Sequence, residues 1–178
     1  ISVNQTRLMF YEADYPEKLR ELVDRYEIPA GLITLEILEG LAVGNVEEMN
    51  EKISLLQKEG FRISMDDFGS GYSSLNILGA LNIDELKLDR AFLTEMAQGS
   101  NLRQKTVMEM VIALTGRLRI TTVAEGVETE EDERLIRELG FDMGQGYYYS
   151  RPVSAEQFDR RFMETGAKRG HENNAKDE

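Results

Sequence analysis

FRISMDDFGSGYSSL, residues 61–75, decides how this chain is read. FRISM reads as a strand and delivers two adjacent carboxylates, Asp66 and Asp67. The glycine-rich turn FGSGYSS follows and leads into a short helix around Leu75 to Leu81. Glycines at 69 and 71 let that turn bend. A strand, a polar strand end, a turn and a helix make one β-α unit.

The same unit recurs on both sides. Upstream, ISVN is a short strand ending in Asn4, and Pro16 opens a helix with Leu19, Leu22, Val23 and Tyr26 on one face. LITLEI, residues 32–37, is a strand bearing Glu36, with Glu39 just beyond it. Asn45 caps a helix marked by Val46, Met49, Ile53 and Leu56, which Gly60 stops. Downstream, ELKL is a strand that presents Lys87 and leads to Asp89. A helix from about Asn101 to Arg117 carries Val107, Met110, Val111 and Leu114 at helical spacing. ITTVA ends at Glu125, Thr129 caps a helix that stops at Gly140, and a last strand near Met143 to Tyr147 carries Gln145. Phe158 and Phe162 belong to a closing helix.

About six β-α units in alternation predict a parallel α/β sheet. Polar residues at the ends of successive strands converge at the mouth of a TIM-like (β/α) barrel. Eight strands close such a barrel and six do not, so the fold is expected to lack about the first two strands. Residues 1–166 then form the C-terminal three-quarters of one domain. The polar stretch 167–178 is expected to be a disordered tail.

Composition narrows the chemistry. The chain has 178 residues, no cysteine and a single histidine, His171, in the polar tail. Disulfides, thiolate zinc sites and mechanisms built on several histidines are excluded. The net charge of −12 argues against a nucleic-acid polymer as partner. No apolar run approaches the roughly 20 residues of a membrane span, so a cytoplasmic location is expected, although a longer parent could be anchored. The polar strand ends are mostly carboxylates, a donor set suited to Mg²⁺ or Mn²⁺.

A single strand-end carboxylate is by default a helix cap or a solvated charge, and Lys87 alone could be a surface charge. Tyr147, Tyr148 and Tyr149 read as strand packing. Joint occurrence in one order changes that balance. SVN, LEILE, DDFGSGYSSL, LKLD, AEGVET and QGYYYSRP resemble the EAL family of cyclic-di-GMP phosphodiesterases from about Ile1 to Phe162.

That resemblance implies a barrel whose first strand runs antiparallel. It implies hydrolysis of cyclic di-GMP to linear pGpG with two Mg²⁺ or Mn²⁺ ions. By resemblance, Asn4, Glu36, Asp66, Asp67 and Glu125 are the metal ligands. Lys87 orients the attacking water, and Asp89 and Gln145 line the substrate site. Glu39 and Glu128 brace the loop after Asp67, which also lies near a homodimer contact. An upstream regulatory or GGDEF domain is a further implication.

The chain departs from the family pattern in places. The Glu-Ala-Leu motif, whose Glu is itself a ligand, does not occur in these residues, nor does the nearby substrate-gripping Arg segment. Leu38 and Gly40 stand where Thr and Ser are common, SVNQT replaces SVNLS, and LNID replaces LPID. The 178 residues alone are therefore expected to be weak or inactive. The alternative is a receptor that binds cyclic di-GMP without cutting it. An enolate-forming Mg²⁺ barrel enzyme is disfavoured by DDFG and AEGVET.

Overall fold

The computed structural model describes residues 1–38, 40, 45–69, 75–91 and 102–163. Six strands form one sheet in sequential order, and every neighbouring pair is parallel. They are β1 (Ser2–Asn4), β2 (Thr34–Leu38), β3 (Arg62–Phe68), β4 (Glu85–Leu88), β5 (Thr121–Glu125) and β6 (Met143–Gln145). Among the described residues the α-helices are α1 (Arg7–Phe10), α2 (Tyr15–Arg25), α3 (Val46–Lys58), α4 (Leu75–Ala80), α5 (Leu102–Leu118), α6 (Glu130–Leu139) and α7 (Ala155–Phe158).

Strand alternation separates two environments. Leu35, Ile37, Ile63, Met65, Leu86 and Leu88 belong to the buried core, as do Met49, Ile53 and Leu56 of α3. The alternate residues Glu36, Ser64, Asp66, Glu85 and Lys87 are polar and also buried. They share the concave face. A hollow of about 400 Å³ is lined by Ser2 of β1, Glu85 of β4, Val123 of β5 and Met143 of β6. First and last strands thus face one cavity, and the sheet curls into half a barrel.

Two aspartates hold the strand order at the N-terminal rim. Asp84, just before β4, accepts the Ile63 N–H of β3 at 2.8 Å. Asp142, just before β6, accepts the Thr122 N–H of β5 at 2.7 Å and the Thr122 hydroxyl at 2.8 Å. Each carboxylate satisfies a donor on the preceding strand and pins the register.

Some boundaries and faces differ from the sequence reading. β6 ends at Gln145, and Tyr147, Tyr148 and Tyr149 form a turn with partly exposed rings rather than strand packing. On α5 the buried side chains are Met108, Val111 and Thr115, while Val107 and Met110 are exposed. Apolar residues occur nearly all round that helix, so periodicity alone does not select its inner face. Leu19, Leu22 and Val23 of α2 and Tyr26 at its C-cap do share a face, but it lines an apolar hollow of about 380 Å³ beside β1 and β2. The closing helix is one α turn followed by a π turn over Asp159–Met163, with Phe158 and Phe162 ring centroids 5.1 Å apart. The stretch 167–178 lies outside the described residues.

The start of α6 bears directly on the site, because it follows Glu125. Thr129 and Asp132 form a reciprocal capping box, and Asp132 also accepts the Glu128 N–H at 3.0 Å. Burial works against the charged Asp132 carboxyl, but the N–H donors of Glu128 and Thr129 outweigh it and hold its pKa below the ordinary value. A depressed carboxyl contributes stability above its unfolded-state pKa and loses it as pH falls through the folded-state value. Asp132→Ala is expected to cost about 1 kcal/mol at neutral pH. Urea unfolding at successively lower pH should show that difference shrinking from below about pH 4. A deficit that persists unchanged at low pH would mean the cap does not act through its charge.

Candidate active site

The site lies at the C-terminal ends of β2 to β5, and its centre is a buried lysine. Lys87 Nζ is 2.8 Å from Glu36 Oε1, 3.4 Å from Asp66 Oδ1 and 2.5 Å from Glu125 Oε1. The side chains of Lys87 and Glu36 are only 5% and 6% exposed, so these are interior ion pairs. Strand position explains the convergence. Lys87 is the inward residue of β4, between Asp66 of β3 and Glu125 of β5, and Glu36 enters from β2.

Asp67 joins through a local irregularity. The β3–β4 register shifts between Met65 and Phe68, which spans both aspartates. Asp67 adopts a left-handed backbone, φ 57°, and its N–H donates to Asp66 Oδ1 at 3.0 Å. Such a φ costs a non-glycine residue roughly 1 kcal/mol or more, and the surrounding structure must hold it. Here the result is that carboxylate oxygens of Asp66, Asp67 and Glu125 all lie within 4.8 Å of one another.

The electrostatics show an excess of negative charge. Burial lowers the Lys87 pKa, but the bonds to Glu125 and Glu36 and the field of Asp66 more than offset it, so the ammonium is held well above the ordinary lysine value. Glu125 is raised, first by burial and further by Asp66 and Glu36, despite the opposing effect of Lys87. Asp67 is raised by burial and then by Asp66 and Asp89. Lysine pairing would normally lower a carboxyl; here several carboxylates share one ammonium. That imbalance, in an all-oxygen donor set, fits a divalent cation.

The other sequence-predicted residues take different positions. Asn4 pairs in register with Glu36, and Gln145 with Glu125. Asp89 accepts the Ala91 N–H at 2.7 Å and adds to the field on Asp67. Glu128 forms a two-pronged pair with Arg90, at 2.5 and 2.6 Å. Glu39 and Gly71 lie outside the described residues, as does the chain from 70 to 74. Sequence reasoning passed over Arg90, although it directly follows LKLD. It also passed over Glu85 and Ser64, which continue the polar face inward; Ser64 is fully buried and its hydroxyl has no protein partner among the described residues.

Gly146 closes the mouth. A Cβ there would overlap the Val127 backbone, so only glycine permits this approach of the β6 end to the segment after Glu125. Val127 N–H donates to Gln145 O at 3.1 Å, and Tyr148 N–H to Val127 O at 3.0 Å. A hollow of about 320 Å³ opens beside it, lined by Arg90, Glu125, Glu128, Gln145 and Tyr147. The Arg151 guanidinium stacks on the Tyr147 ring, 4.7 Å from its centroid.

A curled parallel sheet with a carboxylate-rich mouth built around a buried lysine defines a barrel-type domain whose acidic cluster fits a divalent cation. Comparison with known proteins narrows this. The EAL domain family profile matches residues 1–152, and the chain belongs to that family. It is 36% identical over 157 residues to MucR of Pseudomonas aeruginosa, a bifunctional diguanylate cyclase/cyclic di-GMP phosphodiesterase, covering 88% of this chain and 23% of MucR. Among solved structures, the MucR phosphodiesterase complex with c-di-GMP superposes with a TM-score of 0.80 at 35% identity, covering 89% of this chain and 63% of that one. The EAL domain of Mycobacterium smegmatis DcpA gives a TM-score of 0.83 at 31% identity, covering 92% and 72%. The chain spans less than a third of the length of the curated relatives it matches. Among the described residues, no helix is long and apolar enough to cross a membrane.

Proposed function

We propose that this chain carries the metal-binding, phosphodiester-cleaving face of a cyclic-di-GMP phosphodiesterase that releases linear pGpG. The observation that carries the reading is the buried Lys87 hub, within 3.4 Å of Glu36, Asp66 and Glu125, with Asp67 in the same oxygen cluster. Family membership and the c-di-GMP complex of MucR support the substrate. A related complex of Klebsiella pneumoniae BlrP1 with manganese and c-di-GMP supports the cation class; it has a TM-score of 0.77 at 25% identity and covers 85% of this chain and 38% of that one.

Asn4, Glu36, Asp66, Asp67 and Glu125 would hold two Mg²⁺ or Mn²⁺ ions. Such ions, when bound, lower the pKa of water and neutralise charge on the phosphodiester. The chain's own groups do the rest. Lys87, held among Glu36, Asp66 and Glu125, would orient the attacking water and steady charge near the phosphate. Its bonds hold Glu36 and Glu125 oriented toward the mouth. Asp89 and Gln145, at the ends of β4 and β6, would contact the substrate. For the whole protein we assign a homodimer contact near the loop after Asp67, braced by Glu39 and Glu128, a regulatory or GGDEF partner domain, and a cytoplasmic catalytic face.

The test is chromatography of cyclic di-GMP incubated with the chain in Mg²⁺, in Mn²⁺ and in EDTA. Linear pGpG that appears only with metal, and only slowly from these 178 residues, is the expected outcome. Metal-dependent binding of cyclic di-GMP without product would replace the enzyme reading with the receptor reading. Neither binding nor product would remove both.

A further inference from the structure

We propose that Arg90 is a positioning residue for the metal site: it latches the end of β4 to the segment that follows Glu125. This rests on the phosphodiesterase reading above. The β4–β5 ladder stops at Leu88↔Ala124. Asp89 follows the end of β4, Glu125 is the last residue of β5, and the β4–β5 pairing does not extend to them. Arg90 spans that point. Its two terminal nitrogens meet the two oxygens of Glu128 at 2.5 and 2.6 Å, a fork-on-fork pair with little rotational freedom.

The stem of Arg90 contributes as well. Gly126, φ +69°, follows Glu125 directly, and a Cβ there would come within 2.6 Å of the Arg90 Cβ and Cγ. The aliphatic stem therefore lies against the Gly126 backbone while the guanidinium grips Glu128, two residues on. Glu128 is itself tied to α6, because its N–H donates to Asp132 of the capping box. The peptide that carries Glu125 out of β5 is thus held on one side by Arg90 and on the other by α6. Glu125 is also the carboxylate closest to Lys87, at 2.5 Å. Any drift of β4 against this segment would alter that contact and the Asp66–Asp67–Glu125 oxygen cluster together.

Energy and geometry separate here. The Arg90 side chain is 53% exposed and Glu128 35%, so the pair is screened and contributes little to overall stability. Its effect falls on the spacing of ligands. Groups that orient metal ligands without touching the metal typically change affinity by roughly 10–100-fold when removed.

The test uses Mn²⁺ alone as probe, by titration calorimetry on the wild type, Arg90→Ala, Arg90→Lys, Glu128→Ala and the double alanine variant. Thermal unfolding in EDTA is measured in parallel. The expected result is a loss of Mn²⁺ affinity of about 10-fold or more in Arg90→Ala. The melting temperature should be nearly unchanged, and the double variant no worse than either single one. Arg90→Lys keeps the charge without the fork and should recover little; it carries the test if Arg90→Ala does not fold. Unchanged affinity in Arg90→Ala, additive losses in the double variant, or no Mn²⁺ binding by the wild type each overturns the proposal. Mn²⁺ affinity that depends on Arg90, in a chain that neither binds nor cleaves cyclic di-GMP, sinks the reading of the site as a cyclic-di-GMP site and leaves the latch. Hydrolysis with affinity indifferent to Arg90 does the reverse.

Discussion

Lys87→Met is expected to destabilise the fold by about 3–5 kcal/mol, the cost of removing one partner from a buried ion cluster. The substitution takes one ammonium from the middle of Glu36, Asp66 and Glu125, whose side chains are 6%, 13% and 20% exposed. Methionine matches the stem but offers no donor. Three carboxylates are then left facing one another in a space that water reaches poorly. Urea unfolding in EDTA measures the loss. Repeating it with millimolar Mn²⁺ separates two accounts of the site. A cation that binds only the folded protein adds stability by mass action, so Mn²⁺ should recover part of the deficit. A variant as stable as the wild type in EDTA would mean that the carboxylates do not depend on Lys87.

Asp66→Asn carries the largest expected effect on turnover. It is nearly isosteric, and an asparagine Oδ1 can still accept the Asp67 N–H that Asp66 accepts at 3.0 Å. The turn should therefore survive. Lys87 would lose its 3.4 Å partner but keep Glu36 and Glu125. The charge that would make Asp66 a ligand is gone, however. Loss of a supporting group around a metal costs roughly 10–100-fold, so loss of a ligand should exceed the upper end of that range. Single-turnover formation of pGpG at saturating Mn²⁺ is the measurement, with Glu125→Gln as a companion. Stability in EDTA should not fall, because the cluster has more carboxylates than cations to pair them. Rates near the wild type would remove Asp66 from the metal set.

Much of this site was legible along the chain. The parallel order of six strands followed from alternating strand and helix signals, and the sheet has that order. Asn45, Thr129 and Gly140 mark helix ends as their side chains or backbone freedom predict. Glu36, Asp66, Lys87 and Glu125 were selected from strand ends, and they meet. What failed was orientation where local signals are degenerate. Of the stripe Val107, Met110, Val111 and Leu114 on α5, Val111 and Leu114 do pack on the core, yet Val107 and Met110 are exposed and Met108 and Thr115 face inward instead. The triple tyrosine has strand propensity, yet the backbone turns there, because Gly146 lets the chain dock against Val127.

Residue type and order by themselves determined the class of fold and the kind of chemistry. Alternation of period two with helical periods calls for a sheet covered by helices, and oxygen donors without cysteine at successive strand ends suit hard cations rather than soft ones. Only the tertiary structure decided how the charges balance. That Lys87 is buried among three carboxylates, that Asp67 turns into the same cluster through a left-handed φ, and that Arg90 rather than a neighbour in sequence grips Glu128 are facts of distance. Electrostatic energy depends on separation and burial, and neither is encoded by spacing along one strand.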